Sequence, residues 1–357
     1  MKKNLLFVSA IFAAFMLLTG CSQTKRVASE TSNGSSKRNV IYAYTLDDVM
    51  YPEMYTHIVI SFLQTDKNGN VYGSSFPHGA DKLNAFRAAH PGVKILCALG
   101  GASNSEMLGF SIMDDEARAN LAKSVSALVR ERKLDGIDLD WEYYTNYYVC
   151  NENYLDLAKR IRKILGSKRL LTMAGQQAVE FFADDNIITM MNKYLDFTSV
   201  MTYDFDYEYR ENKTVGYNGN FSSLRRLMDM YADVVSKKKL NVGIPYYGVT
   251  YRLEESELAY RGDPMIAFRG NSNYPKTVAA LGADRAANPD AYDDDDGVAL
   301  AVKNKMLYVF DNATTVYNKA DWACKNGYGG VMEWVASDDE PLGTLQKSVV
   351  KALNDNR

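Results

Sequence analysis

Apolar residues recur along this chain in two alternating rhythms. Short runs rich in β-branched and aromatic residues, at 40–44, 57–63, 94–100, 136–140, 170–174, 197–203, 241–246 and 330–334, predict strands. Amphipathic stretches between them, for example 82–90, 117–132, 154–165, 222–236 and 342–353, predict helices. In the second of these, Leu121, Val125, Leu128 and Val129 return at helical spacing. Eight strand-like runs alternating with helices predict an α/β fold, a (β/α)8 TIM barrel formed by one domain spanning 39–357. An open doubly wound sheet is the alternative, but no Gly-rich phosphate loop follows the first strand.

The N-terminus breaks this rhythm. Lys2 and Lys3 precede an apolar run at 5–18, followed by Thr19, Gly20 and Cys21, which reads as a secretory signal peptide over 1–20. The run is shorter than the roughly 20 apolar residues of a stable bilayer span. Leu18-Thr19-Gly20-Cys21 resembles the bacterial lipobox. That resemblance implies lipidation of Cys21, export across the inner membrane, and anchoring to a bacterial membrane in the cell envelope or at the cell surface. A plain signal peptide and a membrane anchor remain the alternatives. The following residues, to 38, are polar and without periodicity, and predict a flexible linker over 21–38.

Composition narrows the function classes. A net charge of -3 gives no field that attracts nucleic acid, and Lys237-Lys238-Lys239 reads as a solvated loop or helix end. Besides Cys21 there are Cys97, Cys150 and Cys324, with no CxxC or Cys/His cluster. Cys97 reads as a core residue, and a Cys150–Cys324 bridge stays open. His57, His78 and His90 show no spacing for a metal or a nucleophilic triad, so no metal and no cofactor is expected. The acidic run Asp293–Asp296 reads as a solvated loop in preference to a calcium site, and Asp66-Lys67-Asn68-Gly69-Asn70 as a tight turn.

The most informative segment is Asp135-Gly-Ile-Asp138-Leu-Asp140-Trp-Glu142. Side chains alternate along a strand, so Asp138, Asp140 and Glu142 share one face, and Ile137, Leu139 and Trp141 the other. In a barrel the acids then point inward and climb toward the C-terminal rim, where barrel enzymes build their sites. Clustered inward carboxyls cannot all ionise, so at least one keeps its proton near neutral pH, as a general acid requires. Glu142, nearest the mouth, is the candidate proton donor.

Asp135 to Glu142 resembles the DxxDxDxE motif of glycoside hydrolase family 18, the chitinase family. Ala98-Leu99-Gly100-Gly101 is similar to its SxGG motif, Met201-Thr202-Tyr203-Asp204 to its MxYD motif, Gly243–Gly248 to its seventh-strand segment and Gly330–Trp334 to its eighth. Ala43-Tyr44 and Ser61-Phe62 resemble first- and second-strand residues of the family. The resemblance implies a retaining, substrate-assisted mechanism. Glu142 protonates the leaving oxygen, and the substrate's own acetamido oxygen attacks the anomeric carbon. Asp140 holds the acetamido N–H, Asp138 shares a proton with Asp140, and Tyr203 donates to the acetamido carbonyl. Asp204, Met201 and Tyr246 become substrate contacts, Trp334 the floor under the reacting sugar, and Tyr44 the support of the inner aspartate. Gln176 is a weaker candidate for sugar contact.

The implied reaction is endo-hydrolysis of β-1,4-linked N-acetylglucosamine glycans, chitin or chitooligosaccharides, by a monomer. An endo-β-N-acetylglucosaminidase cleaving the chitobiose core of N-glycans, and a non-catalytic glycan-binding lectin, are the alternatives. Lectins of this fold commonly lose the proton donor, which is present here as Glu142. Two departures from the family pattern stand out. Ala98 replaces the family's serine, removing a hydrogen bond expected near Asp138. The section after the seventh strand also looks short for the family's extra α+β insertion, which predicts a shallow groove.

Overall fold

The computed structural model describes residues 36–73, 76–142 and 151–356. Seven parallel strands come first: β1 (Arg38–Ala43), β2 (His57–Leu63), β3 (Lys94–Gly100), β4 (Gly136–Asp140), β5 (Leu170–Gly175), β6 (Phe197–Val200) and β7 (Leu240–Pro245). The chain then leaves for β8 (Tyr247–Arg252), β9 (Ala267–Asn273), β10 (Ala291–Asp293), β11 (Val298–Lys303) and β12 (Met306–Phe310), and returns as β13 (Gly330–Trp334). Strands β1 to β7 and β13 close into a barrel in which β13 pairs with both β7 and β1. The (β/α)8 barrel expected from the alternating pattern is therefore the observed fold.

The barrel strands are buried on both faces, which explains why they read as near-continuous apolar runs. Outside the barrel, Ile137, Leu139 and Trp141 of the β4 segment share one core with Leu121, Val125, Leu128 and Val129 of the helix Asp115–Glu131. That helix starts where the Asp114 side chain accepts the N–H of Ala117, satisfying one of the four donors left free at a helix start. Inside the barrel, Val40, Tyr42, Val59, Leu96, Ala98 and Met332 form a second, narrower core.

The expectation that the section after β7 is too short for the family's α+β insertion is overturned. Strands β8 to β12 form a five-stranded antiparallel sheet in the order β10-β11-β12-β8-β9. It has its own core, including Val249, Tyr251, Leu300, Leu307 and Val309. Only Tyr246 separates β7 from β8, so the first strand of the insertion was hidden in the sequence behind the barrel strand before it. The insertion supplies one wall of the cleft described below, so the shallow groove expected from its absence loses its ground.

Other local expectations resolve in detail. Asp66 Oδ1 accepts the N–H groups of both Asn68 and Asn70, closing the tight turn. In the acidic run, Asp294 and Asp295 are solvated. Asp296 is instead buried, facing Arg261 at 3.0 Å and accepting from Ser222 Oγ at 2.7 Å. Cys97 and Cys324 are buried. The proposed partner Cys150 lies outside the described residues, as do Cys21 and the whole of 1–20. Among the described residues, no helix is long and apolar enough to cross a membrane, and no group of His, Cys, Asp or Glu is arranged to hold a metal ion.

After β12 the chain turns at Asp311, whose two carboxylate oxygens accept from Lys319 Nζ at 2.6 and 2.7 Å. Both residues are buried, Lys319 completely. Removing one partner of such a pair strands the other charge away from water, at a cost of about 3–5 kcal/mol. Lys319→Met is expected to lower unfolding stability by that order with an unchanged denaturant slope. A loss under about 1 kcal/mol would show that Asp311 finds another partner.

Candidate active site

The C-terminal end of the barrel opens into a cleft of about 550 Å³. Asp140, Glu142, Tyr203, Asp204, Met201, Tyr44 and Trp334, all expected from the sequence, line it. Asp138 lies one turn of the pleat deeper, fully buried, in register with Ala98 on β3 and Thr172 on β5. The three acids thus stand in one inward column, while Trp141 points out of the barrel and packs edge-on against Tyr154 at 5.2 Å.

The end of β4 is locked from both sides. Gly101 N–H donates to Asp140 O at 2.8 Å, and Gly100 adopts φ 113°, where a Cβ would stand 2.3 Å from that same oxygen. Only glycine fits this close approach. The Glu142 N–H donates to Ser105 Oγ at 2.9 Å, and Trp141 Nε1 donates to Ser105 O at 3.1 Å. On the far side Gln176 Nε2 donates to Trp141 O at 2.9 Å. Gln176, weighed as a sugar contact, is a buried clamp and does not line the cleft.

Burial dominates the electrostatics. It pushes Asp138 up to about 7 despite hydrogen bonds from Thr172 Oγ1 and from Tyr42 Oη, the latter at 2.8 Å. Asp140 is raised by burial first, then by the Glu142 and Asp138 carboxyls on either side. Glu142 is pushed up to about 7 by burial, opposed by the Ala102 N–H and reinforced by Asp204. Desolvation and neighbouring like charge both penalise the ionised form, so this column holds protons near neutral pH. Asp140 Oδ1 is buried without a hydrogen-bond partner among the described residues, and Asp140 borders the cleft. Tyr203, raised by burial and by the surrounding acids, keeps its hydroxyl proton.

Around the column the walls divide by chemistry. Phe62 stacks on Trp334 with centroids 5.7 Å apart, and Tyr42 and Tyr44 meet the same indole at 5.6 and 6.2 Å. Opposite them, Asp204 sits in a left-handed backbone conformation (φ 62°) fixed by its N–H donating to Asn218 Oδ1 at 2.8 Å. Asn218 Nδ2 donates to Tyr247 O at 3.0 Å, and Tyr247 Oη donates to Asp204 Oδ1 at 2.7 Å. The insertion adds Asn271, Asn273 and Lys276, and Asp338 follows β13.

Two assignments need correction. Tyr44 does not support the inner aspartate. It is nearly half exposed at the mouth, and Tyr42, two residues earlier on the inward face, makes that hydrogen bond. Tyr246 does not face the cleft either. It is buried in the layer between barrel and helices, where its hydroxyl donates to Glu333 Oε2 at 2.7 Å. The next residue, Tyr247, faces the cleft instead. The serine missing at Ala98 is answered from the other neighbouring strand by Thr172, a donor that alternation along β5 places at the level of Asp138.

A model of the glycosyl hydrolases family 18 matches residues 28–339. The chain belongs to this family. Across it, probable chitinase 2 of Drosophila melanogaster is 24% identical over 375 residues, covering 95% of this chain and 77% of the relative. A mutant class V chitinase of Nicotiana tobaccum, solved in complex with NAG4, superimposes with a TM-score of 0.76 at 18% identity, covering 90% of this chain and 100% of that one. Human YKL-39, a pseudo-chitinase with retained chitooligosaccharide binding, gives a TM-score of 0.77 at 18% identity, covering 89% and 100%. The fold therefore serves both hydrolases and a binding protein, and the family 18 chain described here is a glycoside hydrolase that carries its column of three acids intact.

Tyr42→Phe removes one of two donors that favour the Asp138 carboxylate. The Asp138 titration is expected to rise by about one unit from its position near 7, the order set by a single hydrogen bond to a charged group. Carboxyl ¹³C chemical shifts across a pH series would read this, and an unmoved titration would remove Tyr42 from the account.

Proposed function

We propose that the chain is an endo-acting, retaining hydrolase of β-1,4-linked N-acetylglucosamine glycans, chitin or chitooligosaccharides, working by substrate-assisted catalysis. The observation that carries the reading is the buried Oδ1 of Asp140, without a partner among the described residues, beside a Glu142 that burial pushes up to about 7. A buried carboxylate oxygen without a donor is costly, and an acetamido N–H held there would satisfy it.

In this mechanism Glu142 gives its proton to the glycosidic oxygen as the anomeric C–O bond breaks. The substrate's acetamido oxygen attacks the same carbon from the opposite face and closes an oxazolinium ring, whose positive charge Asp140 stabilises. Glu142, now ionised, takes a proton from the entering water, which opens the ring and leaves the anomeric configuration as it began. Tyr203 holds the acetamido oxygen near the reacting carbon, and Trp334 with Phe62 provides the apolar floor. Asp138 shares the proton that Asp140 gives up or takes as charge develops. Each step uses side chains already positioned by the barrel.

Glu142→Gln is expected to keep oligosaccharide binding and to lower kcat by about 10²–10⁴-fold, the range of a lost general acid. Unchanged turnover would take Glu142 out of the mechanism. The donor works only while it carries its proton, so the wild-type rate is expected to fall as pH rises through about 7. A rate still climbing at pH 9 would contradict that assignment. Assayed with chitohexaose beside a high-mannose glycoprotein, the enzyme is expected to release short chitooligosaccharides. Release of the N-glycan alone would favour cleavage at the chitobiose core.

The reading includes a lipid on Cys21 that holds the enzyme on a bacterial membrane as a tethered monomer, supported by Leu18-Thr19-Gly20-Cys21 and the polar residues that follow. Cys21→Ser is expected to change the fraction in which the protein sediments, from membrane to soluble.

A further inference from the structure

The eight barrel strands all begin at the face opposite the cleft, and the chain enters the barrel at that face through Lys37 and Arg38 of β1. The strand starts, loops and helix ends on this base carry Lys94, Lys133, Lys168, Lys193 and Lys238, all exposed, with Glu131 and Asp233 as exposed acids among them. None of the five lies within salt-bridge distance of a carboxylate among the described residues. Asp135 and Asp196, the acids standing directly before β4 and β6, are half-buried and already hydrogen-bonded. Asp135 accepts the Ile95 N–H at 2.9 Å, and Asp196 accepts Arg162 at 2.6 Å and the Leu171 N–H at 2.8 Å. Lys239 differs from its neighbour Lys238, since its ammonium is spent on the carbonyls of Met191, Asn192 and Leu195. At the opposite end, the charged residues lining the cleft are Asp140, Glu142, Asp204 and Asp338 with a single lysine, Lys276.

The whole chain carries a net charge of -3, so a lysine-rich base is a local asymmetry that overall composition conceals. It also falls at the end nearest Cys21 along the chain. Seventeen residues, Ser22 to Arg38, join the two, and extended they span at most about 60 Å. A tether of that reach holds a barrel near a surface without choosing which side faces it. Exposed lysines within a Debye length of about 8 Å of anionic headgroups do choose.

We propose that the lysine-studded base of the barrel is a docking face for anionic lipid headgroups, which turns the acidic cleft away from the membrane and toward incoming polysaccharide. The proposal rests on the lipid anchor at Cys21 for its setting. It adds an orientation that an anchor alone does not give.

The test uses the full, acylated chain in vesicles, with Cys150→Ser and Cys324→Ser beside the fully buried Cys97 to leave a single labelling site, and a fluorophore at Ser167→Cys on the base or at Leu342→Cys beside the mouth. With a quencher on the lipid headgroups, the base label is expected to be quenched several-fold more than the mouth label in phosphatidylglycerol vesicles. The difference is expected to vanish in phosphatidylcholine, in 0.5 M salt, and in a chain with the five lysines changed to glutamate, which keeps its activity on a soluble oligosaccharide. Equal quenching of both labels in phosphatidylglycerol, with the chain still held on the vesicles after a salt wash, would overturn the docking face and spare the anchor. A chain that salt releases but that rebinds anionic vesicles base-first would sink the anchor and support the face.

Discussion

The whole arrangement depends on three carboxyl groups kept out of water in a single file. A barrel interior offers little solvent, and charge buried there is tolerated only if it is paired, hydrogen-bonded or neutralised by a proton. The lowest acid receives donors from Tyr42 and Thr172, the middle one borders the cleft and keeps a buried oxygen with no donor among the described residues, and the topmost stands half-buried at the mouth. Going up the column, satisfaction by the protein declines as access to a ligand increases. This gradient lets the same stack be stable when empty and reactive when filled.

Much of the surrounding structure serves to hold that file at a fixed height. Glycine at 100 lets β3 close up on the Asp140 carbonyl, Ser105 anchors the Glu142 backbone, and Gln176 pins the intervening carbonyl from β5. The insertion contributes through Tyr247, which ties Asp204 to the first strand of the second sheet, and through the asparagines of β9. Catalytic geometry here is thus shared between two cores that meet along one wall of the cleft.

Alternation along strands made most of this legible in advance. Period-two spacing put Asp138, Asp140 and Glu142 on one face and Trp141 on the other, because a closed barrel forces each parity to choose inside or outside. The two tyrosines assigned by resemblance missed the inward positions: Tyr44 lies two residues beyond Tyr42, past the end of β1, and Tyr246 one residue before Tyr247. Both errors fall where a strand ends and the backbone leaves the regular pleat. Thr172 carried no motif to mark it, and its role comes only from register with Asp138 across the β4–β5 pair. The insertion was illegible for another reason: β8 follows β7 after one residue, so two strands of different sheets read as one apolar run and its sequel. The lysine-rich base was equally hidden, since its members come from five separate stretches that only the fold gathers.

The claim that the substrate supplies its own nucleophile, with no second carboxylate attacking and no water displacing directly, has one stereochemical consequence. Proton NMR of products in the first seconds of chitohexaose hydrolysis, before mutarotation, reads the anomer formed at the new reducing end. The account predicts the β-anomer in excess, decaying later toward equilibrium. An initial excess of the α-anomer would mean direct displacement by water and would contradict it.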